Sequence, residues 1–140
     1  MVRINLQDVA ESVIAGADLH YPLREFFVTV AMTAFRGDAI DVGAAFALIS
    51  DTPRLTGSRV VDAYLAAVAE GLSVRGGFSP PTWVLDADRF LGAPYFPPGT
   101  TSLRAILLAE SPAAFRRRNL FVDSRALEPI DKARRAAHAA

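Results

Sequence analysis

The chain has 140 residues, of which 51% are apolar and 21% charged, a length and balance that suit one domain with its own core and exclude a disordered chain. It holds no cysteine and only two histidines, His20 and His138, which excludes disulfides and thiolate chemistry and argues against a zinc site, so neither metal nor cofactor is expected. Net charge is zero but uneven: residues 1–100 carry seven Arg against eleven Asp or Glu, −4, and residues 101–140 carry eight Arg or Lys against four acids, +4.

Met1 to Leu6 lacks the basic-then-apolar pattern of a signal peptide. The longest apolar stretch, Phe26 to Phe35, is broken by Thr29 and Thr33 and falls short of a membrane span. A cytoplasmic location is the expectation. Asn5 with Asp8 marks a helix start, after which Leu6, Val9, Val13 and Ile14 recur at helical spacing until Gly16. Pro22 opens a second helix where its missing N–H costs nothing. Leu23, Phe26, Phe27, Val30, Ala34 and Phe35 form its stripe, which Gly37 ends. Asp38 caps a third helix through Ile40, Val42, Phe46, Leu48 and Ile49. This third helix is apolar on several faces and therefore central. Asp51-Thr52-Pro53 breaks it, and Thr56-Gly57-Ser58 leads into a fourth with Val60, Val61, Tyr64, Leu65, Val68 and Leu72 at spacings of three and four.

Beyond Arg75 the character changes. The stretches 76–81 and 92–99 hold five of the nine prolines and four glycines, with Trp83 between them. Their aromatic residues, Trp83, Phe90, Tyr95 and Phe96, are expected to lie against the helices. Ser102 then caps a helix carrying Leu103, Ile106, Leu107 and Leu108. Ser111-Pro112 starts a short one through Arg118, residues 119–123 are β-competent but short, and a last helix from Glu128 or Pro129 runs into an alanine-rich end that frays. The expected architecture is mainly α: a single domain 1–140, with a compact helical bundle over 1–73, a loop-and-helix part over 74–130 packed on it, and a frayed tail 131–140.

Catalytic constellations are scarce. Gly77-Phe78-Ser79-Pro80-Pro81 shares half of a nucleophile elbow, but proline stands where the tight turn needs glycine. No phosphate-binding glycine loop is present. His20 with Tyr21, and Glu25 four residues past Tyr21, form the one acid–base candidate. A pocket beneath the proline-rich loops would be lined by His20, Tyr21 and Trp83. Asp38 and Asp41 suit the positive end of a helix dipole. Arg116-Arg117-Arg118 is the sharpest polar feature. Three consecutive helical positions fan over about 200°, so one is expected to turn inward to an acid such as Glu110 and two to stay outside. Phe115 and Phe121 flank them as core.

Val61-Asp62-Ala63-Tyr64-Leu65-Ala66-Ala67-Val68-Ala69-Glu70, Pro81-Thr82-Trp83, Tyr95-Phe96 and Ser111 to Asp123 follow one another in an order that resembles a group of small proteins from GC-rich bacteria. Some of these are similar to the antitoxin-like partner of nucleotidyltransferase-like toxins. The resemblance spans residues 56–130 and implies a protein-binding role without an assigned catalytic residue. Such partners often carry a DNA-binding helix-turn-helix, and none is evident here.

The reading that follows is a non-enzymatic protein-interaction module. Its partner-binding residues are Tyr95, Phe96, Arg116, Arg117 and Arg118, and its partner is a protein with an acidic surface. The alternatives are a nucleic-acid-binding regulator, resting on the basic end, and a small-molecule-binding protein or enzyme using the pocket of His20, Tyr21 and Trp83.

Overall fold

The computed structural model describes residues 3–36 and 39–139, with side chains through Arg135. Gly37 and Asp38, expected as a helix stop and a cap, lie outside the described residues, as does the side chain of His138. Asn5 and Asp8 start α1 (Leu6–Ile14) by reciprocal capping: the Asn5 side chain accepts from Asp8 N, and the Asp8 carboxylate accepts from Asn5 N. Together they satisfy two of the backbone donors that a helix start leaves open. Leu6, Val9 and Ala10 face inward, and Gly16 takes the chain away at φ 109°.

α2 (His20–Thr33) begins two residues before Pro22, because the Asp18 carboxylate accepts from His20 N at 2.9 Å. Pro22 still falls in the first turn, where amides have no helical partner. Thr29 is buried; its hydroxyl donates to Glu25 O and accepts from Ile4 N, fastening the N-terminal segment to α2. The helix stops before the expected position. Phe35 and Arg36 leave it to form β1 (Phe35–Arg36), antiparallel to β2 (Ala39–Ile40), with Phe35 opposite Ile40. Asp41 N donates to Ala34 O and closes this ribbon.

The expected helix from Asp38 is therefore replaced by a strand followed by a shorter helix. α3 (Val42–Ala47) is capped by Asp41, whose carboxylate accepts from Ala44 N at 3.0 Å. It is also not central: Val42 and Phe46 are exposed, and within the helix only Ala45 is buried. The central element is α4 (Arg59–Gly76). Ser58 caps it by accepting from Val61 N, and Gly77 ends it in the left-handed conformation at φ 70°, where glycine carries no Cβ penalty. Its buried residues run from Asp62 to Ser73 on nearly all faces. α3, α6 (Ala113–Arg116) and two short 3-10 turns at Thr82–Leu85 and Ala87–Arg89 all pack on it.

α5 (Arg104–Glu110) precedes α6 in the chain and follows a 3-10 turn at Thr101–Leu103. Ser102 does not cap α5, and Ser111 does not cap α6. The Ser111 hydroxyl instead accepts from Val122 N at 2.9 Å and lies within donating distance of the Leu107 and Val122 carbonyls. A serine free to bond the preceding helix and a crossing segment gains more partners than a cap offers. Residues 119–122 make one parallel bridge, Tyr95 with Leu120. α7 (Glu128–Ala139) starts where expected and packs on α2 and β1, with Ile130 buried. Helix accounts for 58% of the structure, so the chain is mainly α. Among the described residues no helix is long and apolar enough to cross a membrane.

Candidate functional site

The three arginines expected at a binding surface have different fates. Arg116 is exposed and has no ion pair among the described residues. Arg117 is half-exposed and reaches back to Glu70 Oε2 at 2.8 Å. Arg118 is 0% exposed. Its guanidinium lies 3.2 Å from Glu70 Oε1, donates to Ala114 O and Val84 O at 2.8 Å each, and sits 4.7 Å from the Phe90 ring centre. Burial pulls its pKa down, and the Glu70 carboxylate opposes that by charge and hydrogen bond. A cation so enclosed cannot meet a partner; Arg118 is a clasp between α4, α6 and the Trp83 turn. Its acid is Glu70 and not Glu110, and Asp123 and Glu128 pair with Arg125 and Lys132 instead.

A second buried guanidinium repeats the device. Arg89 donates to Pro53 O at 2.6 Å and to Asp62 O, and lies 4.9 Å from the Trp83 ring centre. Its pKa is also lowered by burial, against the charges of Asp62, Asp86 and Asp88. Asp62 is buried and accepts from the amide and the hydroxyl of Thr56 at 2.9 Å each. Asp62 and Glu70 lie eight residues apart, about 2.2 helical turns, so they sit on the same broad side of α4, roughly 80° apart around its axis. Glu70, a carboxylate on a helix lined mostly with Ala, Val and Leu, was the sequence signal for the Arg118 clasp.

Tyr95 and Phe96 are half-buried. Tyr95 N donates to Asn119 O and Phe121 N donates to Tyr95 O, while Phe96 stacks on Phe121 at 5.2 Å. The Arg104 guanidinium covers the Phe96 ring at 4.8 Å. Asn119 supports this junction at φ 63° with its side chain donating to Leu91 O. The structure thus brings the loop of Tyr95 and Phe96 onto the segment after Arg118 and against the start of α5. Three of that helix region's apolar side chains stay exposed: Leu103 44%, Ile106 52% and Leu108 47%. Only Leu107 is buried.

The expected pocket of His20, Tyr21 and Trp83 does not form. Trp83 is 4% exposed, and its indole N–H donates to Ile49 O at 2.8 Å. Tyr21 points outward at 66% exposure. His20 does line a cavity, of about 670 Å³, but between α2 and α7 and with Tyr64 of α4, away from Trp83. Among the described residues no three His, Asp or Glu side chains group closely enough to hold a metal ion. The chain matches no known protein family, no curated protein and no solved structure.

Proposed function

We propose that the chain is a protein-interaction module, a helical bundle with proline-rich aromatic loops packed on it, that docks a partner through α5. The observation that carries this reading is an apolar helix left in water. Leu103, Ile106 and Leu108 are all exposed within six residues of chain, where a monomeric surface normally scatters such side chains singly. Arg104 and Arg116, with Tyr95 and Phe96, supply the arginine and aromatic types enriched where binding energy concentrates. The complementary partner is a protein carrying an apolar patch edged with carboxylates. Nucleic acid is a weaker fit, since Arg118 is enclosed and Arg117 is neutralised by Glu70, which leaves too few free cations for a phosphate track. The finer reading, an antitoxin-like partner of a nucleotidyltransferase-like toxin, rests on the resemblance over residues 56–130.

Affinity capture with wild type and with an Ile106→Asp/Leu108→Asp variant of unchanged circular dichroism tests the surface. The captured protein is then titrated in purified form. Binding should weaken at least about tenfold in the double variant and show a modest salt dependence from the flanking arginines. Equal affinity for both forms would sink the reading. A steep log–log salt slope with any nucleic acid would transfer it to the regulator alternative.

A further inference from the structure

The cavity between α2 and α7 uses none of the residues of the α5 face. Phe27, Val28 and Ala31 of α2 form one wall, Pro129 and Ala133 of α7 the other, and Tyr64 reaches it from α4. Its volume of about 670 Å³ falls in the range that takes small ligands. His20, Arg24, Arg125 and Lys132 edge it, and their charges differ in availability. Arg125 is paired with Asp123 at 3.1 Å and Lys132 with Glu128 at 3.6 Å. Arg24 is exposed and has no carboxylate partner among the described residues. Tyr64 packs edge-on against Phe115 at 4.8 Å, and its hydroxyl has no hydrogen-bond partner among the described residues. Burial raises its pKa, so it stays a neutral donor.

We propose that this cavity binds a single-chain aliphatic carboxylate, its hydrocarbon chain between α2 and α7 and its head group at Arg24. One unpaired cation beside apolar walls matches one negative charge on one apolar chain. A nucleotide would need several donors for its phosphates, and the walls offer only the Tyr64 hydroxyl. A bilayer surface would need a polybasic patch, whereas two of the edging cations are already neutralised within the fold. An acidic partner helix would need carboxylates matched to several free cations.

Isothermal titration of the full chain with octanoate, decanoate and dodecanoate below their micelle concentrations, and with dodecanol as the uncharged comparator, tests this. One-to-one saturable binding is expected, tightening about three- to fourfold per added methylene. Arg24→Gln should weaken dodecanoate about tenfold and leave dodecanol unchanged. Ala31→Trp should abolish both by filling the cavity. The exposed Arg24→Gln variant keeps the test decisive if the tryptophan does not fold. Absence of saturable carboxylate binding overturns the proposal, as does equal affinity of wild type for dodecanoate and dodecanol. So does co-sedimentation with phosphatidylglycerol vesicles without binding of free carboxylate, or displacement of dodecanoate only by an acidic amphipathic peptide.

Discussion

Arg116 and Arg118 are two residues apart in sequence, yet one is solvated and the other has exchanged water for a carboxylate, two carbonyls and an aromatic face. A buried guanidinium is costly to desolvate, so the pair as a whole adds little net stability. Breaking it is different, because the Glu70 charge stays inside with only the half-exposed Arg117 left to meet it. Arg118→Ala should therefore cost about 3–5 kcal/mol, whereas Arg116→Ala should stay within about 0.5 kcal/mol. Urea midpoints of the two variants measure the contrast, and similar midpoints would refute the clasp. Sequence pointed correctly to one inward-turning arginine of the triplet. It named the wrong acid because Glu110 is near in sequence, while Glu70 is 48 residues away and becomes a neighbour only once α6 packs on α4. Arg89 was invisible for the same reason: its partners are carbonyls of Pro53 and Asp62, and a carbonyl leaves no mark in a side-chain pattern.

Local chemistry made some elements legible and tertiary packing decided others. α1, α4 and the start of α7 carry their own signals, in Asn5 with Asp8, in Ser58 and Gly77, and in Pro129 after Leu127. The ribbon of β1 and β2 was not legible, because Phe35 to Ile40 keeps the apolar content of a helix while its pairing is set by the contact of Asp41 N with Ala34 O. The central helix was misplaced onto residues 38–50 because apolar content alone does not say which segment others will surround. What identifies α4 is smallness as much as hydropathy: Ala63, Ala66, Ala67, Ala69 and Gly71 are all buried, letting neighbours approach its axis. Gly71 shows how closely. A Cβ there would run into the Leu127 side chain, itself 1% exposed. Glycine normally weakens a helix interior by about 1 kcal/mol relative to alanine, so Gly71→Ala on an open surface would stabilise. Here the intruding methyl should reverse the sign and destabilise by about 1–3 kcal/mol. A thermal midpoint at or above wild type would mean that Leu127 moves aside freely.

At the scale of the molecule, the stretch from Phe78 to Phe96 has little regular structure beyond its 3-10 turns, yet it is fastened to the helices at widely separated points. Trp83 donates to Ile49 O after α3, Arg89 reaches Pro53 and Asp62, Arg118 reaches Val84, and Tyr95 bridges to Leu120. Every one of these ties spans more than two dozen residues, so the proline-rich stretch has no local source of order and must form together with the helices that receive it. Unfolding should then be a single transition. Trp83, the one tryptophan, reports on that stretch, and far-ultraviolet circular dichroism reports mainly on the helices. In urea the two signals should change at the same midpoint, with indole emission moving from a buried to a water-exposed wavelength. Trp83→Ala should lower the dichroism midpoint by the equivalent of roughly 3–5 kcal/mol, the usual cost of emptying a buried aromatic site, although the indole belongs to no α-helix. Were the loops merely draped over an independently stable bundle, the fluorescence change would come first and the helical signal of Trp83→Ala would melt as in wild type.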